Sequence, residues 1–63
     1  MYIVIHSSRT AVLYQYRWLK RKGKLVSIPC AIGAHCGNKD SMFDWVTKTS
    51  LSNGIAMKDV RVE

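Results

Sequence analysis

Val12-Leu-Tyr-Gln-Tyr-Arg-Trp-Leu19, the basic run Lys20-Arg-Lys-Gly-Lys24 and then Leu25-Val-Ser-Ile-Pro-Cys-Ala-Ile32 form the stretch whose reading decides the fold. Its large aromatics fall at every second position: Tyr14, Tyr16 and Trp18, with Gln15 and Arg17 between them. Beyond the basic run the alternation resumes with Val26, Ile28, Cys30 and Ile32, separated by Ser27, Pro29 and Ala31. A period of two is that of a strand with one face buried, and two such runs around a short polar turn make an antiparallel hairpin. Placing Lys20 opposite Lys24 sets Trp18 against Val26, Tyr16 against Ile28, Tyr14 against Cys30 and Val12 against Ile32. All the large apolar residues then share one face, as cross-strand packing requires. The loop becomes Arg21-Lys22-Gly23, with glycine at the left-handed position that a three-residue hairpin loop needs. In this register the aromatics are core, and that reading is preferred to a platform for stacking bases.

The rival for residues 9–22 is a helix. Ser8 suits its cap, and Lys20-Arg21-Lys22 before Gly23 suits its C-terminus. On a helical wheel, however, Ala11, Val12, Leu13, Tyr14, Tyr16 and Trp18 spread all round and no apolar stripe forms. The strand reading is therefore taken.

Working outward, Met1–His6 reads as a strand, apolar on both sides and so suited to the middle of a sheet. Ser7-Ser8-Arg9-Thr10 reads as a turn. Pro29 cannot donate to a ladder, which puts the third strand at an edge. Gly33 to Lys39 reads as a loop. Asp40 or Ser41 is expected to cap a helix over Met42–Leu51, closed by Asn53-Gly54. Residues 55–62 read as a last strand, with Val60 and Val62 on one face. The expected fold is a small α+β domain, β-β-β-α-β, with a four-stranded antiparallel or mixed sheet of order 4-1-2-3 and one helix on one face. The other face is expected to carry Leu13, Gln15, Arg17, Leu19, Leu25 and Ser27 and to offer an interface.

Sixty-three residues make one domain at most. A chain this short buries only about 60% of its unfolded surface, so self-association as a homo-oligomer, or a bound partner, is expected to add to its stability. No apolar run approaches a membrane span; the longest uncharged stretch, which starts at Leu25, carries Pro29 and His35. Met-Tyr-Ile-Val-Ile-His at the start lacks a basic leader pattern, and a cytoplasmic location is the expectation.

The formal net charge of +6 is unevenly placed. Residues 1–39 hold seven Lys/Arg and no Asp or Glu, and five of the seven lie between Arg17 and Lys24. Such clustering points to a polyanion or an acidic protein surface. A β-ribbon fits the major groove of B-DNA, and bases at its tip can contact phosphate. The candidate binding residues are Arg9, Arg17, Lys20, Arg21, Lys22 and Lys24; the bland alternative is a solvated turn.

Other chemistry has little support. His6, Cys30, His35 and Cys36 are the residue types of a zinc site, but their spacing is wrong, and no metal or cofactor is implied. Cys30 reads as a buried, structural residue in the sheet and Cys36 as a free loop thiol. His35, Cys36 and Asp40 make a poor catalytic set, because neighbours on a chain rarely point at one another and no oxyanion donors are visible. A non-enzyme is expected.

The layout is similar to the small arm-site DNA-binding domains of tyrosine integrases, three strands followed by a helix. Tyr14-Gln-Tyr-Arg17, the Lys22-Gly-Lys24 turn and the helix after Asp40 carry the likeness; the strand over 55–62 departs from it. The resemblance implies duplex DNA as partner. The sequence thus points to a small nucleic-acid-binding protein, with duplex DNA the expected partner. The alternative is an accessory or inhibitor protein that docks on an acidic surface or a sheet edge of another protein.

Overall fold

In the computed structural model, which describes residues 1–63, β1 (Tyr2–Ile5), β2 (Thr10–Arg21), β3 (Lys24–Cys36), α1 (Lys39–Asn53) and β4 (Val60–Val62) follow in that order, with a single 3₁₀ turn at Met57–Asp59. The sheet order is β3-β2-β1-β4. β1 pairs antiparallel with β2 and parallel with β4. The expected α+β architecture is present: the apolar β1 lies inside the sheet and the Pro29 strand at its edge. The helix after β3 carries the chain back to β1, where β4 pairs.

The hairpin register differs from the expected one by a single residue. Arg21 faces Lys24, Leu19 faces Val26, Trp18 faces Ser27 and Tyr16 faces Pro29. The loop is two residues, Lys22-Gly23, both left-handed at φ 51° and 77°. That pattern is a type I′ turn, whose twist matches the twist of paired strands. Ile32 is an extra residue opposite the Leu13–Tyr14 step, so beyond it Leu13 faces Gly33 and Ala11 faces His35.

The one-residue slip changes which β3 side chains share a face with each β2 residue, while the pairing with β1 decides which face of β2 is buried. Pairing with β1 sets Ile3 beside Leu13 and Ile5 beside Ala11. These four, with Met42 and Val46 from α1, are the six buried residues. Trp45, Ile55 and Val60 pack around them. Leu13, Gln15, Arg17 and Leu19 therefore lie on the helix side of β2, where the sequence reading had them on the free side. Tyr14, Tyr16 and Trp18 take the opposite face, so they are not core.

α1 begins earlier than expected. Asn38, rather than Asp40 or Ser41, is its cap, and its Oδ1 accepts from the Ser41 amide at 2.8 Å. Gly37 permits the tight approach of β3 to α1: a Cβ there would lie 2.7 Å from Ser41 Oγ and 3.1 Å from His35 Nε2. Gly54, left-handed at φ 65°, closes the helix as expected. The last strand is shorter than the expected 55–62, because a 3₁₀ turn at Met57–Asp59 precedes it and pairing starts only at Val60.

Lys22 is strained where it stands, since a side chain at positive φ costs about 1 kcal/mol that asparagine largely escapes. Lys22→Asn is expected to stabilise the hairpin by about 1 kcal/mol, a roughly fivefold slowing of amide exchange in the flanking strands. Hydrogen-exchange mass spectrometry checks this; unchanged exchange would mean that the turn carries no strain.

Candidate nucleic-acid interface

The core occupies one end of β2 and β3; the rest of the hairpin projects from it. Between Tyr16 and Pro29 every residue is exposed except the half-buried Ile28. The molecule measures 45 × 20 × 16 Å. Its radius of gyration is 13.2 Å, against about 10.6 Å for a compact chain of this length. Its accessible surface is 4712 Å², against about 4,100 Å² for a compact chain of this mass. A two-stranded arm of six residue pairs accounts for both excesses.

Strand alternation divides the arm into two faces. Arg17, Leu19 and Arg21 share one with Lys24, Val26 and Ile28; Tyr16, Trp18 and Lys20 share the other with Leu25, Ser27 and Pro29. Lys20, Arg21, Lys22 and Lys24 gather at the tip, with Arg17 behind them. The two ion pairs of the molecule, His6–Glu63 and Lys48–Asp44, lie elsewhere. The five arm cations thus have no internal counter-charge and stand in solvent. Arg9 is not part of this cluster. It sits in the β1–β2 turn, at the opposite end of the twelve-residue β2, roughly 36 Å from the tip at about 3.3 Å per residue.

The face of the sheet away from α1 holds what the sequence reading missed. Tyr2 stacks on Tyr14 with ring centroids 5.1 Å apart, and Tyr16 lies 5.5 Å from Tyr2 in a tilted arrangement. The Arg61 guanidinium stands 4.8 Å from the Tyr2 ring centroid. Desolvation among these rings raises the Tyr2 phenol above its usual range, the nearby Tyr16 adding to the shift and Arg61 opposing it. Tyr16 is 51% and Trp18 69% exposed. No element covers this row, which runs from the body of the sheet to the basic tip. The available signal was the Lys22-Gly23 pair: read as a two-residue loop, it sets Pro29, Ser27 and Leu25 rather than Ile28 and Val26 on the face of the aromatics, which makes that face a poorer core.

The cysteine and histidine residues do not converge. His35 faces α1, stacks on Trp45 at 5.9 Å and shares a 3.1 Å hydrogen bond with Ser41 Oγ. Cys36, its neighbour, points to the other face, where Thr10 Oγ1 donates to its sulfur. Cys30 is half-buried rather than buried, and both thiols are free. Six residues of one strand separate them, roughly 20 Å, which a disulfide cannot span. No three His, Cys, Asp or Glu side chains are placed to hold a metal ion. No helix is long and apolar enough to cross a membrane.

No family model matches the chain, and neither the curated proteins nor the solved structures contain a significant match.

Proposed function

We propose that the protein binds nucleic acid, gripping the phosphate backbone with the β2–β3 arm, and that the arm's partner is duplex DNA. The observation that carries this reading is the arm itself: five cations on a projecting ribbon with no acid to neutralise them. A two-stranded ribbon is of the size that a major groove of about 12 Å admits. Cations on both of its faces and at its tip suit the phosphates lining the two walls. No catalytic step is assigned to it.

Each phosphate contact releases counterions, so binding weakens with salt at a log–log slope of roughly −0.9 per contact. Four to five contacts from Arg17, Lys20, Arg21, Lys22 and Lys24 give a slope of about −4. Arg21→Gln with Lys22→Asn removes two cations and keeps a good type I′ loop. The pair is expected to lower the slope by about 2 and to weaken all sequences alike, because phosphates carry no sequence information. Labelled duplex titrated at several salt concentrations reads both effects. Absence of binding at low salt would end the reading; an unchanged slope would move the site away from the tip.

A second reading has its own observation. The outer edge of β3 is unpaired along its thirteen residues, and an apolar groove of about 340 Å³ between α1 and β4 leaves Leu51 and Met57 uncovered. These features suit an accessory protein that docks on another by strand addition or by apolar contact. Partners that remain bound after nuclease treatment would favour it.

A further inference from the structure

We infer that the helix-free face of the sheet is a stacking surface for unpaired bases, so that the nucleic acid this protein takes contains a single-stranded stretch. The inference rests on the nucleic-acid reading above, but not on the duplex form of the partner.

Three observations converge on it. The first is the kind of side chain. Tyr2, Tyr14, Tyr16 and Trp18 lie on one uncovered face, and the two nearest the tip are exposed. An exposed aromatic ring forgoes about 1.5–3 kcal/mol of burial, which a flat partner restores. The second is spacing. Tyr16 and Trp18 occupy alternate positions of one strand, about 6.6–6.8 Å apart, with Tyr14 behind them already stacked on Tyr2. The two exposed rings can therefore receive separate, splayed bases. Bases in a duplex are stacked on one another and offer only their edges, so a row of rings has value only where bases are unpaired.

The third observation is charge. Lys20 alternates onto this face from β2, and Arg61 reaches it from β4 to stand over Tyr2. The acid that comes to it is Glu63, and His6 engages that carboxylate. His6 also lies 3.2 Å from the Tyr14 hydroxyl, so the pair borders the row without entering it. A second copy of the chain would bring another +6 against this face, whereas a strand of phosphates would neutralise it. Cations along the path with rings between them are the arrangement by which proteins hold single strands without reading sequence, each stacked base contributing about 1–3 kcal/mol.

The test compares one strand of about twelve nucleotides with the blunt duplex of the same length, by fluorescence anisotropy at a single salt concentration. Wild type is expected to bind the single strand more tightly than the duplex. Tyr16→Ala and Trp18→Ala are each expected to weaken single-strand binding about tenfold and duplex binding less than twofold, with Trp18→Phe recovering most of the loss. Both residues are exposed, so the variants are expected to fold, which circular dichroism checks. Tryptophan emission should fall on adding the single strand to wild type and stay unchanged with Trp18→Ala. Single-strand affinity no greater than duplex affinity, or alanine variants equal to wild type, would overturn the inference while leaving the arm reading intact. Sedimentation that shows a dimer abolished by Trp18→Ala would overturn it in favour of self-pairing. Failure of both nucleic-acid forms to bind at low salt would overturn the parent reading as well.

Discussion

Excising Tyr16–Pro29 and joining Gln15 to Cys30 through Asn-Gly is expected to abolish nucleic-acid binding while the remaining chain folds. Gln15 and Cys30 are a cross-strand pair, so a two-residue type I′ loop can close them without a change of register. The excised segment contributes none of the six buried residues Ile3, Ile5, Ala11, Leu13, Met42 and Val46. It does contain five of the six candidate cations and carries most of the surplus behind the +6 net charge. Loss of four to five phosphate contacts removes essentially the whole electrostatic attraction. Affinity for duplex and single strand alike should fall by more than a hundredfold at low salt, and the salt slope should approach zero. Circular dichroism and gel filtration report folding, and the latter should show a smaller, rounder particle. A shortened protein that still binds would place the interface on the body of the sheet; one that unfolds would mean that the arm supports the core.

The second large effect is on stability. Ile3 of β1 and Met42 of α1 are fully buried members of the same core cluster. A domain of this length has roughly 3–9 kcal/mol of stability, from about 0.05–0.15 kcal/mol per residue. Truncating a buried Ile or Met to Ala costs about 2–5 kcal/mol in lost transfer energy and cavity. With only six residues in the core there is little around the hole to close it. Ile3→Ala and Met42→Ala are each expected to lower Tm by about 10–25 °C, from about 4–8 °C per kcal/mol in a domain this small. Trp18→Ala and Leu25→Ala remove larger or equal side chains at 69% exposure and should move Tm by only a few degrees. Thermal melts of the four variants, side by side, check the contrast. A Trp18→Ala melt as depressed as that of Ile3→Ala would mean that the arm folds back on a covered surface.

The order of elements was legible because each rests on a local signal. Alternation through residues 12–32 makes strands, Pro29 sends one of them to an edge, and Asn53-Gly54 stops the helix. The basic cluster was legible for the same reason, since Arg17 to Lys24 are close in sequence and a hairpin keeps them close in space. Arg9 was grouped with them by charge alone, and the length of β2 carries it to the far end. The helix start was misplaced by three residues because Asp40, Ser41 and Asn38 are all competent caps. The choice went to Asn38, whose position also lets Gly37 pass close to His35 and Ser41.

The amino-acid sequence by itself determined that Val12 to Ile32 forms a hairpin, that a single helix follows, and that positive charge collects at the turn. These depend on period, turn chemistry and composition, which act over a few residues. It did not determine which face of the hairpin is buried. Both faces of β2 are apolar enough to serve, Ala11, Leu13 and Leu19 on one and Val12, Tyr14, Tyr16 and Trp18 on the other. A three-residue and a two-residue loop at Arg21-Lys22-Gly23 differ by one residue of register. The choice was made at long range, by Ile3 and Ile5 of β1 pairing with Leu13 and Ala11 and by Met42 and Val46 closing over them. With one helix only one face can be covered, and that packing left the aromatic row exposed beside the cations.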